Sequence, residues 1–250
     1  MLIHPAIESL KTLRLLGMVK ALENQLNQPQ IEQMSFEERL GLMVDREIND
    51  RESRKLQTRL RNASLKQEAS MENIDHRASR GIDKKLLLTL ADCRWIKMHR
   101  NVLIVGATGT GKTYLACALA HKACLEGKAV YYSRLPRLLP TLALARGDGS
   151  YNKKMKQLAK TEVLILDDWG LAPLTDEQRR DLLELLDDRH EKCSTIVTSQ
   201  LPIKLWHDAI GDKTLADAIL DRLVHNAYRL ELSGESMRKS RADNLNQEEK

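Results

Sequence analysis

Eight consecutive residues, Gly106, Ala107, Thr108, Gly109, Thr110, Gly111, Lys112 and Thr113, fit the pattern G-x-x-x-x-G-K-[ST] with no forced position. An apolar, β-branched run, Asn101-Val102-Leu103-Ile104-Val105, precedes them, and Tyr114-Leu115-Ala116-Cys117-Ala118-Leu119-Ala120 follows with the character of a packed helix. Glycines let the backbone curl so that successive N–H groups point inward at phosphate oxygens. The helix that follows adds its unsatisfied N-terminal N–H groups and the positive end of its dipole. Lys112 reaches the β- and γ-phosphates as a mobile charge, and the Thr113 hydroxyl is placed to ligate Mg²⁺. A strand, a glycine loop and a helix in this order predict a nucleoside triphosphate site.

A second strand supports that expectation. Val163-Leu164-Ile165-Leu166 ends abruptly in Asp167 and Asp168. A buried strand has no use for adjacent charges at its C-terminal end unless a cation waits there. In an open α/β sheet that end is where ligands sit, and the glycine loop lies about 55 residues upstream. Asp167 is therefore expected to hold Mg²⁺ with Thr113, and Asp168 to orient and polarise the attacking water as general base. Ser194 to Gln200 reads as a third buried strand with a polar end. Either Ser199 or Gln200 would contact the γ-phosphate or its water.

The remaining rhythm beyond the glycine loop is strand, helix, strand, helix, with further strands at Ala129–Tyr132 and Tyr228–Leu232. It predicts an α/β fold, a parallel sheet with helices on both faces. A helical N-terminal domain is expected over 1–66, a polar linker over 67–82 and the nucleotide-binding domain over 83–250. Within the first region, Leu15, Val19, Leu22 and Leu26 recur at helical spacing. Ser35-Phe36-Glu37-Glu38 is a capping-box signature opening a helix with Phe36, Leu40, Val44 and Ile48 on one face. Arg54, Lys55, Arg59, Arg61 and Lys66 then follow without an intervening acid, either as a solvated helix face or as a phosphate-tracking surface. Asp83 to His99 reads as one helix leading into the first strand.

Composition narrows the class. The chain has 250 residues, with 40 Lys+Arg against 35 Asp+Glu, a modest formal +5 whose distribution matters more than its sum. No apolar run approaches a membrane span, and the N-terminus lacks a signal-peptide layout. The four cysteines, Cys93, Cys117, Cys124 and Cys193, form no C-x-x-C pair, which suggests a reduced, cytoplasmic setting. His99, His121 and His225 show no ligand spacing with one another or with cysteine, so no zinc site is expected. Tyr131 and Tyr132 read as strand packing, and Trp169 and Trp206 as residues packed under loops.

Taken together, the chain resembles the IstB/DnaC branch of the AAA+ ATPases, and within it the IstB-like helper ATPases of bacterial insertion sequences. The resemblance rests on GATGTGKT, on Leu164 to Gly170 (LILDDWG), on Thr198 to Pro202 (TSQLP), on Asp221-Arg222-Leu223, on Ser233 to Arg238 (SGESMR) and on the helical stretch Ser35 to Leu65. It implies an ATPase using ATP and Mg²⁺ on the AAA+ variant of the P-loop sheet. Arg222 resembles the arginine finger that enters a neighbouring subunit's site, and Arg238 resembles a second sensor contacting the phosphates of its own subunit. One departure is the pair Asp167-Asp168 where many relatives carry Asp-Glu, and a shorter carboxylate makes slow hydrolysis an expectation.

The resemblance also implies DNA passing a helical element near 134–160. There Arg134, Arg137, Arg146, Lys153, Lys154, Lys156 and Lys160 stand against Asp148, so seven cations minus one acid leave a surplus of six. Leu135–Pro140 and Tyr151–Lys154 would make the contacts, mostly to phosphates because aromatics other than Tyr151 are absent. The DNA-contact candidates are thus Arg54, Lys55, Arg59, Arg61, Arg137, Lys153, Lys154 and Lys156. The implied function is an ATP-dependent oligomer on duplex DNA that helps a partner transposase select its target. A helicase loader on single-stranded DNA is the principal alternative. A small-molecule kinase fits the paired aspartates and the basic segment less well, and a DNA-binding module with structural nucleotide would be excluded by turnover that Asp168→Asn abolishes.

Overall fold

The computed structural model describes residues 3–28, 31, 33–74, 81, 83–234, 236 and 237. Residues 1–58 and 59–250 pack as two units, the division falling inside a long helix. The first unit holds α1 (Ile3–Thr12), α2 (Leu16–Leu26) and most of α3 (Phe36–Ala63). Ser35 and Glu38 close the capping box reciprocally, Ser35 N donating to Glu38 Oε2 at 2.8 Å and Glu38 N to Ser35 Oγ at 3.2 Å. Helices α2 and α3 meet at Gly17, where a Cβ would lie 2.6 Å from the Glu47 Cα, so only glycine allows this approach. Buried Glu47 then accepts the Gly17 N–H at 2.6 Å and the Met18 N–H at 3.3 Å, a carboxylate satisfying the first turn of α2. Phe36, Leu40, Val44 and Ile48 do share one face of α3, but that face is exposed.

The second unit opens with α4 (Lys84–Ala91) and α5 (Arg94–Lys97), where the sequence suggested one helix. The break is local chemistry. The Asp92 carboxylate takes the Arg94 N–H at 2.8 Å, and Cys93 adopts a left-handed φ of 59° that no helix can continue through. Then follow β1 (Asn101–Gly106), α6 (Lys112–Leu125), β2 (Val130–Arg134), α7 (Leu135–Gly147), α8 (Tyr151–Lys160), β3 (Val163–Trp169), α9 (Asp176–Arg189), β4 (Ser194–Ser199), α10 (Trp206–Ile210), α11 (Lys213–Val224) and β5 (Ala227–Leu232).

These five strands form one sheet in the order β2-β3-β4-β1-β5, every neighbouring pair parallel. All their C-terminal ends therefore lie along one edge. Along β1, β3 and β4 residues on both faces are buried, as a sheet covered on both sides requires. Leu103, Val105, Leu164, Leu166 and Val197 face one apolar core with α7, α8, α9 and α11. Val102 and Ile104 alternate to the opposite face, where α6 packs. Trp169 and Trp206 lie in the first core with ring centroids 5.2 Å apart, the Trp206 indole N–H donating to Leu201 O at 3.0 Å.

Candidate functional site

The phosphate loop joins the end of β1 to the start of α6. Gly106 has φ 155°, and a Cβ there would meet the Leu232 carbonyl of β5 at 2.3 Å, so the loop can lie against β5 only as glycine. Gly109 (φ 85°) and Gly111 (φ 98°) supply the left-handed turns that aim the loop amides inward. Lys112 Nζ bends back over the loop and donates to the carbonyls of Gly106 and Ala107, both at 2.8 Å. The Thr110 hydroxyl closes the loop on Ala107 O at 2.9 Å. At its outer side Thr108 Oγ1 donates to Gln200 Oε1 at 2.7 Å, and Met237 N–H donates to Gly109 O at 3.0 Å. Met237 thus returns to the loop; Arg238 lies outside the described residues.

Two adjacent residues on a regular strand point to opposite faces. Asp167 and Asp168 escape that rule through a bulge. Leu166 pairs with Val197 and Trp169 with Ser199, so three steps on β3 match two on β4. The extra residue is absorbed at Asp168, whose φ is 63°. Asp167 turns inward and is fully buried. Its carboxylate accepts Thr113 Oγ1 at 3.0 and 3.2 Å and Tyr132 OH at 2.5 Å, as well as the Thr198 hydroxyl. Lys66 Nζ stands 3.6 Å from Asp167 Oδ2. Burial pushes this carboxyl up, but the hydrogen bonds from Thr198, Tyr132 and Thr113, with the Lys66 charge, outweigh it and hold Asp167 below the usual aspartate range. Burial and the neighbouring carboxylate raise the Tyr132 phenol well above its ordinary value.

Asp168 turns sideways instead. Its Oδ2 accepts Arg134 Nε at 2.5 Å, and its N–H donates to Thr198 Oγ1 at 3.3 Å. A hydroxyl and an ionised carboxylate side by side at Thr113 and Asp167 are hard oxygen donors of the kind Mg²⁺ takes. Those two residues therefore fit the ion that the sequence assigned to them.

Other assigned residues stand elsewhere. Ser199 is buried, its hydroxyl donating to Trp169 O at 2.8 Å and accepting Leu201 N–H at 3.0 Å, which leaves Gln200 as the polar residue of that strand end that reaches the loop. Tyr132, read as packing, gives its hydroxyl to Asp167. Tyr132, Arg134, Thr198 and Lys66 were not singled out for this site from the sequence. Thr198 alone shares the signal that revealed Asp167, a polar side chain near the C-terminal end of a buried strand; Tyr132 and Arg134 stand on the half-exposed edge strand β2.

Arg222 is far from its own loop. Its carbonyl accepts Asn101 Nδ2 at 2.9 Å, at the opposite end of β1. The six residues of that strand separate the two ends by roughly 17 Å at about 3.3 Å per residue. The guanidinium is held by Asp187 at 2.6 Å and by Ala218 O at 2.9 Å.

The basic segment is α7 with α8. Leu135, Leu138, Leu139 and Leu142 of α7 and Tyr151, Met155 and Leu158 of α8 face the core, so the leucines and Tyr151 expected as nucleic-acid contacts are buried. Two of the seven cations are also spent internally. Arg134 pairs with Asp168, and Arg146 pairs with Glu177 at 3.1 Å and with buried Asp181, stacking 3.8 Å over the Tyr151 ring. Arg137, Lys153, Lys156 and Lys160 point outward and Lys154 is half-buried; among the described residues no carboxylate pairs with any of them. On α3, Arg54 lies 3.6 Å from Glu47 and Lys55 2.9 Å from Glu52, acids one or two turns earlier that offset the run. Arg59 Nη1 donates to Cys124 O at 3.5 Å, and Arg61 is exposed.

Known proteins agree with this geometry. A family model described as IstB-like ATP binding protein matches residues 8–244. An insertion-sequence ATP-binding protein of Sinorhizobium fredii is 51% identical over 240 residues, covering 96% of this chain and 98% of that one. Among solved structures, DnaI superposes with a TM-score of 0.57 at 22% identity, over 68% of this chain and 90% of its own. The DnaC helicase loader superposes with a TM-score of 0.53 at 22% identity, over 66% and 97%. At that identity the two structures speak for the fold alone, which is that of the AAA+ domain. No helix among the described residues is long and apolar enough to cross a membrane. The chain belongs to the IstB-like ATP binding protein family and is an insertion-sequence-associated AAA+ ATPase.

Proposed function

We propose that this ATPase assembles on duplex DNA when it binds ATP, and that the assembly helps a partner transposase to choose and use its target. The observation that carries the reading is the separation between the phosphate loop and Arg222. With its backbone one strand length from the phosphate loop and its guanidinium on Asp187, Arg222 would serve catalysis only in another copy. Nucleotide would then sit between subunits, and binding it would favour assembly. The outward lysines of α8 with Arg137, together with Arg54, Lys55, Arg59 and Arg61, supply phosphate contacts, so binding would be weakly sequence-specific. The helical N-terminal region, ending near residue 66 before a linker to 82, would carry contacts to DNA, partner or a second copy.

Within one site the geometry supports the following roles. The loop amides and Lys112 bind the β- and γ-phosphates, and Thr113 and Asp167 would hold Mg²⁺, which neutralises phosphate charge when bound. Asp168 lies at the same strand end and takes the proton of the attacking water, once Arg134 yields its carboxylate. Gln200, tied to Thr108, orients the γ-phosphate side of the loop. Arg238 follows a segment already bonded to Gly109 and would add a phosphate contact in the same subunit.

The test is particle size and phosphate release measured on the same samples, with and without Mg²⁺–ATP, and with duplex or single-stranded DNA. Growth only with ATP and duplex together is expected. Arg222→Ala should still assemble yet release phosphate about 10³–10⁵-fold more slowly. A chain that remains monomeric under every condition overturns the scheme. Growth on single-stranded DNA alone would convert it to that of a helicase loader.

A further inference from the structure

Asp167 carries one charge and is fully buried, yet one cation beside it comes from outside the sheet and the phosphate loop. Lys66 lies three residues beyond the end of α3, on a segment pressed against the nucleotide-binding helix. Ala63 is fully buried, and Ser64 breaks the helix with a left-handed φ of 51°. The N–H groups of Lys66 and Gln67 face the sulfur of Cys117, a fully buried residue one turn beyond Thr113 on α6. Ala69 and Ile74 bury further along the same stretch. Residues 66 and 67 thus lie beside the first turns of α6, the stretch up to Asn73 lines one cavity with His121 further along that helix, and the Lys66 ammonium reaches 3.6 Å from Asp167 Oδ2. Its side chain is 40% exposed, so it can leave without dismantling the core.

A divalent ion bound by Thr113 and Asp167 would place a second, stronger positive charge on this carboxylate. Two cations a few ångströms apart in a part-buried site repel by several kcal/mol even at an effective dielectric near 20. The geometry points to Lys66 as a built-in counter-ion of Asp167 that competes with the metal, so that metal–nucleotide binding drives its ammonium off and loosens residues 64–74. This inference rests on the ATP-site reading above and adds a residue to it. It makes the segment joining α3 to the ATPase unit a reporter of site occupancy. The stretch also carries no phosphate-loop function of its own, so what it gains or loses in order can be read independently of turnover.

The experiment uses the full chain with a fluorescent non-hydrolysable ATP analogue titrated with Mg²⁺, and hydrogen exchange over 64–74 in parallel. Wild-type protein should show faster exchange in 64–74 once metal and analogue are bound. Lys66→Gln should lower the Mg²⁺ needed for half-maximal binding by about tenfold, less than an unscreened pair would give because the side chain is part-exposed. Its exchange in 64–74 should be fast from the start and insensitive to metal. Lys66→Arg, which keeps the charge, should behave as wild type and shows that the chain folds with the site altered. An unchanged midpoint in Lys66→Gln overturns the inference, and a raised one makes Lys66 a phosphate ligand instead. Absence of analogue binding by the wild-type chain at saturating Mg²⁺ overturns the ATP-site reading itself, and this inference with it.

Discussion

The strand-end site and the α7–α8 face both looked charged in the sequence, yet the fold treats their charges differently. At the strand ends, Lys66 aside, the polar groups near Asp167 find partners at the sheet edge and the phosphate loop: Thr113, Tyr132 and Thr198 on Asp167, Arg134 on Asp168, Thr108 on Gln200. On α7–α8 the charges divide. Arg134 and Arg146 pair with acids on other elements, and among the described residues the other five lysines and arginines have no such carboxylate partner. Preorganised groups in a low-dielectric pocket act strongly on a developing charge, whereas exposed ones act additively and through solvent. On the proposed reading the first region serves chemistry and the second affinity for phosphates.

The sharpest way to break that contrast is Asp168→Asn. The amide keeps the shape and the left-handed turn, which asparagine tolerates, but removes the base. Phosphate release should fall by about 10²–10⁴-fold while nucleotide affinity hardly moves. A parallel loss of binding would mean that Asp168 holds the loop together instead, and the division of labour between the two aspartates would collapse.

How much of this was legible beforehand differs by the same line. The glycine loop, the acid-tipped strand and the parallel alternation are local patterns, so the sheet, the loop and the Thr113–Asp167 pair could be read directly. Ser199 and Gln200 stayed open because strand parity does not say which of two neighbouring polar residues the following turn will consume; the Leu201 N–H and the Trp169 carbonyl engage Ser199. The surplus of six positive charges over 134–160 misled because counting along the chain omits Asp168 and Asp181, which arrive from β3 and α9. Tyr151 is turned from DNA for a related reason, since its hydroxyl lies 2.8 Å from both Asp181 Oδ1 and Glu184 Oε2 and is committed to that acidic pair. Lys66 was noted only as one more cation in a run, because nothing local tells that the chain after α3 doubles back onto α6.

The inward charges give a smaller, structural effect. Asp181 is 1% exposed and accepts from both Tyr151 and Arg146, so Asp181→Ala leaves a buried phenol with one acceptor fewer and a guanidinium unpaired on that side. Unfolding in denaturant should show a loss of about 2–3 kcal/mol. Lys153→Ala and Lys156→Ala, on the outer side of α8, should each stay within about 0.5 kcal/mol of wild type. Similar losses in all three variants would erase the distinction between inner and outer charges.

The smallest expected effect falls on the outer charges alone and concerns salt. If about five phosphates are neutralised, the log–log dependence of duplex affinity on salt has a slope near −4.5. Replacing Lys153, Lys154 and Lys156 together by alanine should flatten that slope by about 2.7 if each contacts a phosphate, weakening binding similarly across unrelated sequences. Nucleotide affinity and basal phosphate release should not change, because these side chains stand on the face of α8 turned away from the core that backs the sheet. An unaltered slope would move the DNA to the cations of α3, where Arg54 and Lys55 already share acids with their own helix and Arg61 stands exposed. A slope altered for some sequences only would show that α8 reads bases, which its lysine-rich outer face, with its Tyr151 ring committed inward, is poorly equipped to do.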